Sequence, residues 1–432
     1  MRSIWQAEAK MPEFNSLEGH LNTDVAIVGG GIAGILCAHE LRRRGVDCIL
    51  LEKDRICSHT TGHTTGKITA GQGLVYQKIA SRYGFDTAAA FYRANSDAVG
   101  ALIRLSDEYP CHMQIRDNYV YSLSDRAAVE REVSLLQQMG APVSFEVTTE
   151  LPLEVAGAVR LSGQAQFNPL LMLGKIAEEL EIYENSFVRE VNGGRVYTER
   201  GSVSAKNVII ATHFPFINSR GFYFLKMYQH RSFVLALEGA DSLSGMYVDD
   251  SSAGLSFRNY GKYLLLGGGG HRTGKGGGCF EVVRAAKRRF YPDSTEKYAF
   301  ATQDCMTLDG MPYVGRYSTF GCGLYVAGGF NKWGMCGSML AAKLLADKLC
   351  GVKNEMLSVL APNRSVLHRQ LLLNTIETTG GLLFPTTKRC AHLGCALHWN
   401  RAEHSWDCAC HGSRYSPDGR IIDNPSQKNA KL

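Results

Sequence analysis

The stretch Asp24-Val25-Ala26-Ile27-Val28-Gly29-Gly30-Gly31-Ile32-Ala33-Gly34 decides the fold. Val25 to Val28 form an apolar run that reads as a buried strand, and the glycines after it fit the spacing G-x-G-x-x-G. Ile32, Leu36 and Leu41 then mark the apolar stripe of a helix over residues 32–44. Arg42, Arg43 and Arg44 stand at its carboxy-terminal end, where cations suit the helix dipole. Gly45 stops that helix, and Val46-Asp-Cys-Ile-Leu-Leu-Glu52 is a second strand, which completes a βαβ start. Glycine clusters are common in turns, so the hexad alone is weak. Here it leaves a strand, opens a helix and is followed 18 residues after Gly34 by Glu52. Gly29 permits the tight turn, Gly31 lets the backbone approach a pyrophosphate, and Gly34 lets helix and strand pack closely. The helix amino terminus faces the phosphates, and Glu52 accepts hydrogen bonds from a ribose diol.

Only one such fingerprint occurs, which favours a tightly held FAD over a dissociating nicotinamide. Further along, helical patterns occupy residues 86–108, 126–139 and 168–180, the last entered through Asn168-Pro169. Short strands follow at 195–198, 202–204 and 207–212, and residues 228–267 alternate as in an antiparallel sheet. A strand at 323–327 and a helix over 336–350 close the large domain. Residues 361–389 carry no strong period and read as a linker. From residue 390 the chain is turn-rich and rich in Cys and His, which marks a second domain.

The 432 residues are 45% apolar and 20% charged, which excludes wholesale disorder. The net charge of +6 is spread without blocks of like charge; it suits an anionic cofactor or substrate and is weak support for nucleic acid. No apolar run approaches the roughly 18 residues of a membrane span, and the first ten residues lack an apolar leader. A cytoplasmic location is therefore expected. A second glycine cluster, Gly269-Gly-His-Arg-Thr-Gly274-Lys275, has phosphate-loop spacing, but Gly276 replaces the required Ser or Thr and no helical pattern begins there. It reads as a flexible loop over a ligand.

Nine of the thirteen cysteines (Cys37, Cys48, Cys57, Cys111, Cys279, Cys305, Cys322, Cys336 and Cys350) are scattered and read as small buried apolar side chains. The other four, Cys390, Cys395, Cys408 and Cys410, fall within 21 residues. Cys390-Ala-His392 and Cys408-Ala-Cys-His411 are separated by 15 residues. Two thiolates and two imidazoles could hold one zinc ion, but zinc modules usually begin from C-x₂₋₄-C pairs. A 2Fe–2S cluster with two Cys on one iron and two His on the other is the better match.

In Cys390-Ala-His-Leu-Gly-Cys395 and Cys408-Ala-Cys-His-Gly-Ser413 the tail resembles the Rieske family. The resemblance assigns Cys390 and Cys408 to one iron and His392 and His411 to the other. It implies a disulfide between Cys395 and Cys410, donation from Ser413 and Tyr415 to cluster sulfur, and apolar shielding by Trp399, Trp406 and Pro425. His398 and His404 are expected to be ordinary polar residues. The strands that precede the first cluster loop in a full Rieske domain have too few residues here, so the base sheet is expected to be truncated and covered by another surface.

The whole chain resembles FAD-dependent oxidoreductases of the D-amino-acid-oxidase/glycine-oxidase type that carry a carboxy-terminal Rieske domain. The markers are Thr61-Gly-His-Thr-Thr-Gly-Lys67, Gln164-Ala-Gln-Phe-Asn-Pro169, Ala211-Thr-His-Phe-Pro, Met227-Tyr-Gln-His-Arg231-Ser, Asp309-Gly-Met-Pro-Tyr313-Val-Gly-Arg316 and Gly329-Phe-Asn-Lys-Trp333-Gly-Met. Gly66, His230 and Cys336-Gly337 depart from the pattern. The implied architecture is α/β: a Rossmann-like FAD domain (about 22–75, 151–219 and 301–360), an inserted antiparallel-sheet substrate domain (76–150 and 220–300), and a small truncated all-β Rieske domain (390–432). Residues 1–21 are an amino-terminal arm.

The resemblance places Thr64, Thr65 and Lys67 along the pyrophosphate and ring system, and Val188 at the adenine. It sets Gly329, Phe330, Lys332, Trp333, Gly334 and Met335 at the flavin, with Lys332 stabilising negative charge on the reduced ring. Tyr228, Arg231, His271, Arg272 and Tyr313 are the candidate substrate groups. Arg231, Tyr313 and Lys332 are the catalytic candidates, an Arg there suiting a carboxylate. The expected activity is oxidation of a small amine or amino acid, with electrons passing through the cluster to or from an external carrier. An electron-transfer module without its own substrate, and a simple oxygen-using oxidase, are the alternatives. A homo-oligomer is also expected as a partner arrangement.

Overall fold

Val25 to Val28 are buried between two parallel neighbours, Cys48–Leu51 on one side and Gly201–Ile210 on the other. A computed structural model provides these relations; it describes residues 2–276, 279–319 and 323–432. The sheet runs Tyr313–Arg316, Leu324–Gly328, Gly201–Ile210, Gly19–Val28, Cys48–Leu51, Glu181–Tyr183, with the hairpin Glu190–Asn192/Arg195–Tyr197 on Gly201–Ile210. The helices Ile32–Arg42 and Gly334–Leu349 pack against each other within one core cluster. Asn168 caps the helix Pro169–Ala177 through its side-chain oxygen, with the proline in the first turn.

A second sheet of nine strands runs Thr295–Thr307, Met227–Glu238, Tyr263–Arg272, Ser256–Tyr260, Met246–Asp249, Gln114–Ser122, Gly157–Gln166, Lys67–Ile68, and Val143–Glu146 also pairs with Gly157–Gln166. Its pairings are antiparallel except that between Met246–Asp249 and Gln114–Ser122. Gly157–Gln166 falls in a segment expected with the FAD domain but hydrogen-bonds into this sheet, as does the end of Thr295–Thr307. The chain crosses between sheets here without any change of composition.

A third, four-stranded antiparallel sheet contains Leu397–Asn400, Ser405–Cys408, Arg414–Tyr415 and Ile421–Asp423. This small all-β unit matches the expected cluster-binding module. The preceding segment is not an irregular linker: Arg369–Leu383 is a helix. Its period is obscured in the sequence because Leu372, Leu373, Ile376, Leu382 and Leu383 are all exposed.

Cys37, Cys57, Cys111, Cys305 and Cys336 are buried as expected, whereas Cys48 and Cys279 are half-buried and Cys350 is exposed. Cys322 lies outside the described residues. Among the described residues no helix is long and apolar enough to cross a membrane.

Candidate functional site

The turn after Val28 works as its glycines require. Gly29 has φ +113°, and a Cβ there would stand 2.8 Å from the carbonyl carbon of Ala211. A Cβ on Gly34 would overlap the Gly29 carbonyl oxygen, so glycine is what lets this helix sit against the strand. The helix Ile32–Arg42 starts at Gly31 without a side-chain cap, and Gly31, Ile32 and Ala33 open onto a cavity of about 970 Å³. Glu52 stands at the same wall, its two oxygens accepting from Gly30 N (2.7 Å) and Asp54 N (2.9 Å).

At another part of the cavity the helix Gly334–Leu349 also begins without a side-chain cap, behind Trp333, Gly334 and Met335. Asn331 and Lys332 precede it with φ +51° and +75°, left-handed positions that non-glycine residues occupy at a cost. Lys332 Nζ donates to Ser252 O at 3.0 Å. Thr61 Oγ1 takes the Ile32 N–H at 3.1 Å, but neither N-cap residue supplies a side-chain cap, so two helix amino termini open on one cavity, an arrangement that favours negative charge in two places.

The cavity is also rich in cationic side chains. Lys67 is buried, no hydrogen bond or ion pair holds its ammonium among the described residues, and burial followed by the nearby Arg258 lowers its pKa to about 7. Arg258 is buried behind it, donating to Thr65 O and Gly66 O, and burial pushes its pKa down to about 9. Burial also lowers Lys332, an effect opposed by Asp304. Asp304 faces the cavity from Thr295–Thr307, and burial raises its carboxyl to about 6 against the pull of Lys332 and Arg231. His230 lies across the strand pair from Asp304, with a buried, unpartnered Nδ1. A buried ammonium without a hydrogen bond among the described residues, two helix amino termini and a Gly-lined turn fit FAD, which would supply acceptors for them.

Gly29, Gly31, Glu52, Thr64, Thr65 and Lys67 line the cavity, as do Val188, Phe330, Lys332, Trp333, Gly334 and Met335. Gly34 and Gly329 act behind it: a Cβ at Gly329 (φ +72°) would strike Thr307. Of the substrate candidates, Tyr228 lines the cavity. The others do not, for definite reasons. Arg231 forms a buried ion pair with Glu403. Arg272 donates to Ala409 O (2.8 Å) and Cys410 O (2.9 Å). His271 stacks on Phe233. Tyr313 is buried under the Arg364 guanidinium, 4.1 Å from its ring centre. Asp304 escaped sequence reasoning because it is one polar residue in an alternating strand, with no motif around it.

The four candidate metal ligands converge. The rings of His392 and His411 lie 5.0 Å apart at 89°. His392 Nδ1 and both nitrogens of His411 are buried without partners, whereas His392 Nε2 meets Asn218 Oδ1 at 3.0 Å. Cys390 and Cys408 are buried, and the Cys408 thiol, then burial, holds the Cys390 proton well above the ordinary range. Cys390 Sγ lies 3.2 Å from Tyr415 Oη, so the tyrosine stands where a hydroxyl donates to cluster sulfur. Ser413 Oγ accepts from Ser426 N at 3.1 Å, which leaves its own hydrogen free to donate. Two imidazoles with orphaned nitrogens and two paired thiols make up the donor set of a 2Fe–2S centre with mixed ligation. The expected Cys395–Cys410 disulfide is not shown: both residues stand as thiols, their sulfurs and that of Cys408 within 4.8 Å of one another. Trp399 is partly exposed against Trp406, Pro425 is buried, and His398 and His404 are surface residues.

The two centres share walls. Ile421, Asp423, Asn424, Ser426 and Gln427 line the cavity that contains Gly31 and Lys332. Gln229 donates to His411 O (3.0 Å) and Asn424 O (2.8 Å), and Gln303 to Gln229 Oε1 (2.6 Å) and Gly412 O (3.0 Å). The second glycine cluster is neither a phosphate loop nor a free flap. Gly270 lines the cavity, while Gly274 packs on the backbone of Cys408 and Ala409.

Residues 24–348 match the family model described as "FAD dependent oxidoreductase", and residues 353–432 the model described as "Rieske [2Fe-2S] domain". The protein YhfW of Bacillus subtilis (strain 168), whose name describes a Rieske 2Fe-2S iron-sulfur protein, is 30% identical over 99% of this chain and 97% of its own. Glycine oxidase from Geobacillus kaustophilus superposes with a TM-score of 0.67 at 20% identity, covering 80% of this chain and all of its own. L-proline dehydrogenase from P. horikoshii does so at 0.67 and 18%, covering 81% and 98%. At these identities the likeness to the two solved structures is one of fold.

Proposed function

Because the chain belongs to the FAD-dependent oxidoreductase family and carries a Rieske [2Fe-2S] domain, we propose that it oxidises a small amine or amino acid and exchanges the electrons with an external one-electron carrier. Bound FAD would supply hydride-accepting chemistry, and a 2Fe–2S cluster one-electron transfer. The observation that carries the reading is the shared wall: Asp423, Asn424 and Ser426 of the Rieske unit line the cavity that Lys67, Asp304 and Lys332 enter.

The residues divide the work. Gly29, Gly31 and Gly34 allow the backbone to meet a diphosphate, and Glu52 takes the ribose. Lys67 and Lys332 offset negative charge that grows on the ring system. Asp304 holds the substrate ammonium and receives its proton as the carbon–nitrogen bond is oxidised, and Tyr228 closes the same space. Cys390, Cys408, His392 and His411 would hold the iron. Glycine oxidase and L-proline dehydrogenase, which share the fold, are named for amino-acid substrates, which supports the substrate class.

The test is anaerobic mixing of the two-cofactor protein with a panel of amino acids and amines. Bleaching of the flavin band together with a reduced-Rieske EPR signal is expected. Bleaching only after addition of a reductase would make the chain a carrier without its own substrate. Undiminished oxygen turnover in Cys408→Ser would make it a simple oxidase.

A further inference from the structure

The two sides of the cysteine/histidine pocket are unlike. On the imidazole side His411 is buried between Phe214 and Phe224, with ring centres 6.4 and 6.1 Å away, and His392 Nε2 is taken up by Asn218. These contacts cover His411 and occupy one nitrogen of the half-buried His392. On the sulfur side the wall is one helix thick. A Cβ on Gly381 would stand 2.7 Å from Cys410 Sγ and 3.5 Å from Cys395 Cβ, so the helix Arg369–Leu383 lies directly on these two cysteines, whose sulfurs are within 4.8 Å of that of the ligand Cys408. Its inner face is anchored by buried Asn374, which accepts from Arg272 at 2.9 Å.

Its outer face is apolar and open. Leu372 is 61% exposed, Ile376 60% and Leu383 78%, and helical spacing puts these three on one side. Phe384 and the cluster-loop residue Leu393 are also exposed. Soluble proteins rarely leave such a stripe uncovered unless it binds something. Arg369, Lys388, Arg389 and Arg401 belong to the same segment, 367–401, whose single acid, Glu377, is already paired with Lys275 at 2.8 Å. A second copy of this chain, with its net charge of +6, would bring like charge to like.

We propose that this face docks a small acidic one-electron carrier protein, which is thereby separated by about one helix diameter, roughly 10 Å, from Cys395 and Cys410, the cysteines that pack beside the ligand Cys408. The inference rests on the electron flow set out above and names its outer partner. Each encounter moves one electron between the cluster and the carrier with no bond made or broken, so a two-electron substrate needs two encounters.

The test uses the protein loaded with both cofactors and, as probe, a plant-type 2Fe–2S ferredoxin, with basic cytochrome c as the charge-reversed control. Calorimetric titration is expected to show ferredoxin binding that weakens with salt, and about tenfold or more weaker binding to Leu372→Glu/Ile376→Glu. The flavin and Rieske spectra of that variant should be unchanged, because both side chains point to solvent. The proposal is overturned if ferredoxin does not bind, if it binds wild type and variant alike, or if cytochrome c is preferred. It is equally overturned if the substitutions instead disperse a wild-type dimer in sedimentation, or abolish binding to anionic phosphatidylserine vesicles. Failure of the underlying electron flow is a separate result: a flavin bleached by substrate without a Rieske EPR signal, which the binding titration does not depend on.

Discussion

Lys67 concentrates the electrostatics of the cavity in one side chain: a buried ammonium whose pKa is lowered to about 7 with no carboxylate paired to it. In the flavin-free protein the folded chain binds this proton less readily than the unfolded chain does. The stabilising contribution is therefore complete above the ordinary lysine pKa and is lost as pH falls through about 7. Scanning calorimetry should show the melting temperature of the flavin-free wild type rising, relative to Lys67→Met, between pH 7 and about 10. The same substitution should weaken FAD binding by about tenfold, from the loss of one charge-assisted contact. Asp304 works in the opposite sense, since burial raises its carboxyl to about 6. We expect kcat/KM for an amine to rise with pH through about 6, and Asp304→Asn to flatten that limb and lower the plateau by about 100-fold. Tyr415→Phe removes the hydroxyl 3.2 Å from Cys390 Sγ. The reduced cluster loses a donor worth about 1.5 kcal/mol or more, and EPR-monitored titration should show its midpoint potential fall.

At the scale of elements, the Rieske unit is fastened to the strand Met227–Glu238. Gly412, with φ +84°, leaves room for Gln229, and a Cβ there would stand 2.5 Å from Gln229 Cβ. Gly412→Ala should cost about 1–3 kcal/mol and deplete iron, read by thermal melts and metal analysis. Arg231, Glu403 and Arg414 form a buried ionic chain that continues to Asp407 (3.0 Å) and Asp423 (3.2 Å). Arg231→Met should cost about 3 kcal/mol, at the low end for a broken buried pair because Arg414 still faces Glu403. Adding Glu403→Leu should recover part of that loss in a double-mutant cycle.

What was legible in the sequence follows the same division. The glycine turn and the two cluster loops are local, each written in fewer than a dozen residues whose spacing is set by one ligand, so their chemistry reads directly. Arg231 could not be read as a docking residue, because its partner lies 172 positions away and an arginine in a substrate domain suits a carboxylate ligand equally well. The helix Arg369–Leu383 was obscured by its exposed leucines, which blur the periodicity by which helices are recognised.

Over the whole molecule, the interfaces join the flavin and iron–sulfur units into one body. Lys53 reaches Ile422 O at 2.9 Å, and Asn424 donates to Phe214 O at 2.8 Å and also to Thr212 O. Calorimetry of the two-cofactor protein should give a single cooperative transition. Stripping the iron should loosen FAD as well, visible as faster appearance of free flavin fluorescence, because the wall at Asp423–Gln427 hangs from the cluster loops.

That wall also sets an order of assembly. The glycine turn leaves the ribosome well before Ile421, Asp423 and Asn424, which line the same cavity. A nascent chain thus presents an open flavin cleft until those residues emerge, and secure retention of FAD has to wait for the wall they build.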